Sequence, residues 1–205
     1  MHRLTPVAAR STAVVTVGLA LTTAGCGASR SAGGPATNPT PSPVATSATP
    51  TTRELTPQGF IAKDVGQVAG FDCANDLDTC AITFSVDKIE VNPQCHQYGA
   101  PHAAGRKTLL LHVSMTTGDL SEEGARSAPS IFNPFSLNGI ADDGSVQEAR
   151  PGTCTDREER LSDTILPHSR YSGTVEVQVA EAATAVASTY PVASNGSRGW
   201  VWRIG

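Results

Sequence analysis

The feature that most constrains the fold is an alternation of apolar residues. From Lys107 to Thr116 the chain reads KTLLLHVSMT, with Leu109, Leu111, Val113 and Met115 at every second position. Side chains alternate faces along a strand, so these four share one face. Leu110 falls on the other face with His112 and Ser114, and the run of three leucines predicts a central strand. Ala81 to Val91 repeats the pattern: Ile82, Phe84 and Val86 are in phase. Ile89 and Val91 then fall out of phase, which predicts a bulge near Asp87-Lys88.

Further runs follow. Tyr171 to Val179 places Tyr171, Gly173, Val175, Val177 and Val179 on one face. Phe135 to Ile140 and Val146 to Glu148 flank Asp142-Asp143-Gly144, a hairpin turn signal. Ala185 to Val192 is a weaker strand, and Gly199 to Ile204 puts Trp200, Trp202 and Ile204 on one face. No long stretch carries a 3.6-residue apolar period. Ser121 to Ala128 predicts one helical turn, and the alanine-rich Ala180 to Ala187 fits either state. About seven short strands separated by turn residues predict an all-β, antiparallel sandwich or barrel.

The N-terminal quarter is built differently. Met1 to Gly25 has a basic start (His2, Arg3, Arg10), an apolar run from Ser11 to Thr23, and small residues at its end. The run is shorter than the roughly 20 apolar residues of a spanning helix, so it reads as an export signal. Its end, Thr23-Ala24-Gly25-Cys26, resembles the lipobox of bacterial lipoproteins, with Thr23 where that family usually has leucine. The resemblance implies a diacylglycerol thioether on Cys26 and cleavage just before it. Residues 26–57 are then a lipidated cysteine and a linker rich in Ala, Ser, Thr and Pro. Such a segment buries too little surface to offset its ordering entropy. Its prolines favour extended backbone, and about 30 residues at ~3.1 Å each could reach roughly 90 Å. The folded domain is expected over residues 58–205.

Four cysteines remain: Cys73, Cys80, Cys95 and Cys154. An even number in an exported chain predicts two disulfides, with three pairings open. The preferred one is Cys73–Cys80 with Cys95–Cys154, because CANDLDTC reads as a short polar surface turn. On loop entropy alone the long bridge would contribute ~4 kcal/mol and the short one ~2.5 kcal/mol. No C-x-x-C pair or zinc-finger histidine spacing is present.

Charge and motifs exclude several functions. Removing Arg3 and Arg10 from the 15 basic residues leaves 13 against 19 acidic ones, a net −6. That gives no footprint for nucleic acid and no attraction to anionic lipid, so membrane attachment would have to be covalent. The sequence has no G-x-S-x-G elbow, H-E-x-x-H motif or phosphate-cradling glycine loop. A serine with His168 and Asp163 would be a chance combination rather than a triad. His96, His102 and His112 fall in one region and could bind a metal or small ligand if they converged. Asp72, Asn75, Asp76 and Asp78 lack the calcium-loop register. Trp200 and Trp202 could form an aromatic platform, but two aromatics on one strand face are more often core anchors. The mixed cluster Asp156 to Arg160 reads as a solvated loop. No cofactor is expected.

The strand order continues into Leu166-Pro167 and then YSGTVEVQV. In that order the region from about Ile82 to Ile204 resembles the small extracytoplasmic immunoglobulin-like domains of bacterial lipoproteins and secreted antigens, often called telokin-like. That family often has glycine after the Leu-Pro pair, where this chain has His168-Ser169. The resemblance implies an Ig-like β-sandwich without established catalytic residues. The expectation is a non-enzymatic binding or interaction module, tethered to the cell membrane through lipid on Cys26, facing outward toward an envelope protein or peptide.

Overall fold

In a computed structural model, residues 55–190 and 196–205 are described. Cys26, the signal and nearly all of the linker lie outside them, as does Val192. The first described residue, Leu55, already bridges to Ile61.

Among the described residues ten strands form two five-stranded sheets. They are β1 (Ile61–Lys63), β2 (Ala69–Cys73), β3 (Cys80–Val91), β4 (Arg106–Thr117), β5 (Leu137–Ala141), β6 (Val146–Glu148), β7 (Arg150–Pro151), β8 (Arg170–Ala180), β9 (Ala183–Ser188) and β10 (Trp200–Arg203). One sheet runs β1-β10-β9-β5-β6 and the other β2-β3-β4-β8-β7. The two close on one core, an Ig-like β-sandwich. All pairs are antiparallel except β1 with β10, which is parallel. The count exceeds the expected seven because β1, β2 and β7 are too short or too weakly patterned to read as strands in the sequence.

The long strands follow their alternation. Ile82, Phe84 and Val86 of β3, and Leu109, Leu111, Val113 and Met115 of β4, are all buried. The register of β3 on β4 shifts between Val86 and Lys88, the predicted bulge. Facing them from the other sheet are Trp200 and Trp202, both fully buried. Phe84 meets Trp200 edge-on at 4.8 Å and Phe132 edge-on at 5.1 Å. These edge-to-face contacts add roughly 1 kcal/mol each beyond area burial. The tryptophans are therefore core anchors, and the platform reading fails.

Three local expectations are corrected. The predicted single turn is a ten-residue helix, α1 (Glu122–Ile131). Ser121 accepts the Gly124 N–H at its start, and Ala128 and Ile131 are buried against the core. Tertiary burial thus extends a helix that local patterning leaves weak. Phe135 belongs to no strand: Asn133 Oδ1 accepts its N–H at 3.0 Å, Pro134 opens a tight 3-10 turn, and the ring is 78 % exposed. The alanine-rich segment resolves as strand β9, because Val186 packs into the core while Ala187 joins Phe60, Ile140 and Val201 on the outer face.

The turn before β8 carries two informative details. Tyr171 Oη accepts the Leu166 N–H at 2.7 Å. A tyrosine at a strand start bonding backbone a few residues upstream is the tyrosine corner of Ig-like sandwiches. His168 has φ 50°, a left-handed conformation that favours glycine. It holds there with its ring 3.0 Å from Asp119.

Candidate functional site

The edge of the second sheet is open. β7 covers only two residues of β8, so the first half of β8 lacks a strand neighbour on that side. A strap of residues 156–165 runs there instead. It is fixed by two bonds to one residue: Leu161 N–H donates to the Thr174 carbonyl at 3.0 Å, and Thr174 Oγ1 donates to the Glu159 carbonyl at 3.0 Å. Gly173 permits the close approach, since a Cβ there would lie 2.6 Å from the Leu161 nitrogen.

Next to the strap is a clasp built on a buried carboxylate. Glu176 is 4 % exposed, in the middle of an otherwise valine-rich strand. Its Oε1 accepts the Cys154 N–H at 2.7 Å, and its Oε2 accepts both the Thr155 N–H and the Thr155 hydroxyl at 2.8 Å. Three short donors compensate the loss of water around the charge. A side chain at position 152 would collide with this carboxylate, so the site needs Gly152. Cys154 is fully buried and bonded to Cys95, which ties the 92–104 loop over the same region. His96 N–H donates to the Cys154 carbonyl at 3.0 Å and closes that loop onto it.

Between strap, clasp and the end of α1 lies a cavity of about 350 Å³. That is within the lower range of small-molecule sites, ~300–1,000 Å³. Its floor is apolar, including Met115, Phe132, Ile165 and Val175; its lip includes Phe135, Arg160 and Asp163. Arg160 is exposed and has no ion-pair partner among the described residues.

Of the residues singled out in the sequence, Arg160 and Asp163 line the cavity, and the others fall elsewhere. His112 Nε2 lies 2.6 Å from Glu90 Oε1, on the outer face of β4. Lys88 and His112, in that order of effect, hold the Glu90 carboxyl below the usual range. His96 stacks edge-on near Tyr98 in the loop, and His102 is exposed. Among the described residues no three His, Cys, Asp or Glu side chains gather as a metal would require, so the metal reading of His96, His102 and His112 is set aside. Asp76 instead stands at the start of the short 3-10 turn Leu77–Thr79 inside the CANDLDTC loop, where the Thr79 hydroxyl accepts its N–H at 3.2 Å. His168 pairs with Asp119 rather than with Asp163. The 156–160 cluster, read as a solvated loop, is exposed at Asp156, Glu158, Glu159 and Arg160 and forms the first half of the strap.

Cys73 is joined to Cys80, and Cys95 to Cys154. Two disulfides in so small a domain belong to an oxidising, extracytoplasmic compartment. Among the described residues no helix is long and apolar enough to cross a membrane.

No family model matches the chain, and no curated protein matches it. Among solved structures it is similar to the 1.5 Å crystal structure of MPT63, a secreted protein from Mycobacterium tuberculosis. The two are 13 % identical, over 71 % of this chain and 98 % of that one, with a TM-score of 0.44.

Proposed function

We propose that the protein is a lipid-anchored, extracytoplasmic binding module without catalytic activity. The anchor is the diacylglyceryl thioether on Cys26, supported by the lipobox-like sequence and by the even pairing of the other four cysteines. The observation that carries the binding role is the cavity, whose two walls are separately fixed by Thr174 and Glu176. Its occupant is a component of the cell envelope. A flat apolar docking face is a poorer account, because the large exposed apolar residues among those described are spread over loops and strand ends.

The test places a photoreactive residue at position 135 and crosslinks intact cells. A discrete adduct, small or large, is expected in the membrane fraction. A chain that reaches the membrane fraction but forms no adduct there would overturn the binding role. Cys26→Ala should move the protein out of the membrane fraction, and a variant still processed and membrane-bound would overturn the anchor.

A further inference from the structure

The cavity lip carries two opposite charges three residues apart on the strap, Arg160 and Asp163, both exposed. The third charge at the site, Glu176, is already engaged by three donors. A ligand therefore meets one available cation and one available anion over an apolar floor. Phe135 is exposed at the lip, and the Asn133 cap fixes its backbone there. A cavity of about 150 Å³ accommodates one benzene ring. The 350 Å³ here fits one bulky apolar side chain and a short polar backbone.

We infer that the site takes a zwitterion of dipeptide size. Its apolar side chain would enter between Phe132, Met115 and Ile165. Its carboxylate would meet Arg160 and its ammonium Asp163. A simple hydrophobe leaves both lip charges unused, and a longer peptide with distant termini cannot present both charges at one mouth. The inference rests on the reading of the domain as a binding module and supplies the ligand class.

The test uses the full chain carrying Cys26→Ala, with both disulfides oxidised and no detergent. The probes are Leu-Phe, N-acetyl-Leu-Phe and Leu-Phe-amide, titrated by ligand-observed NMR. Leu-Phe should bind, and each blocked form should bind more weakly, by about two- to fivefold, the loss expected from one exposed ion pair. Arg160→Gln should erase the preference for a free carboxylate, and Asp163→Asn the preference for a free amine. Phe135→Ser should weaken all three. These three side chains are exposed, so unchanged melting temperatures are expected. Absence of binding by any probe, equal binding of all three, or binding indifferent to the variants would overturn the inference. An adduct at position 135 in cells, with no dipeptide binding, would sink the ligand class and leave the binding role standing.

Discussion

The two disulfide regions use the same bond for different purposes. Cys73 and Cys80 are direct partners in the β2–β3 ladder, at the end of a hairpin whose register Ala69, Gly70 and Phe71 already set. That bridge closes a short turn which backbone pairing has largely defined. Cys95 and Cys154 lie 59 residues apart in two loops. Those loops meet through few backbone bonds, His96 to Cys154 and Ala100 to Thr153 among them. There the bridge and the Glu176 clasp together create an arrangement the sheets do not impose. One disulfide locks a local element, while the other ties a distant loop to the Glu176 clasp that borders the cavity.

The largest test of that contrast removes the long bridge. Cys95→Ala with Cys154→Ala should cost about 4 kcal/mol in urea unfolding, from loop entropy alone. Glu176→Ala comes next, at about 3 kcal/mol, because it leaves buried donors at Cys154 and Thr155 unpaired. A loss below about 1 kcal/mol would mean that the loop relaxes and the clasp is not a structural element. Cys73→Ala with Cys80→Ala should cost about 2.5 kcal/mol and leave the cavity intact, read as unchanged probe binding. If this pair cost more than the long bridge, the contrast would be reversed. The smallest effect belongs to Gly70→Ala. A Cβ there would collide with Cys80 Sγ, so the substitution should cost about 1.5 kcal/mol with the bridge present and much less without it.

The core strands were legible because alternation leaves little choice of face. β3, β4 and β8 place their valines, leucines and isoleucines as the sequence implies, and the bulge follows from the phase change after Val86. The cavity was not legible, for a physical reason. Glu176 lies at an outward position where alternation predicts an ordinary solvated acid, and only the chain crossing over it makes it buried. Its one local signal is a pair of glycines, Gly152 and Gly173, at positions with no turn to require them. Phe135 was misread as a strand residue because an apolar residue near a hairpin looks like one. The Asn133-Pro134 pair before it was the better guide. α1 was underestimated because Ala128 and Ile131 gain their stabilisation from the core rather than from helix propensity.

Four of the five cysteines are bridges inside the domain, and Cys26 is its proposed attachment. One measurement tests that division directly: the intact mass of the full-length product extracted from membranes, after thiol alkylation without reduction. The expected product is a chain beginning at Cys26, carrying diacylglycerol, with no alkylated cysteine. A chain with an unmodified or alkylated Cys26, or with alkylation at Cys73, Cys80, Cys95 or Cys154, would contradict it.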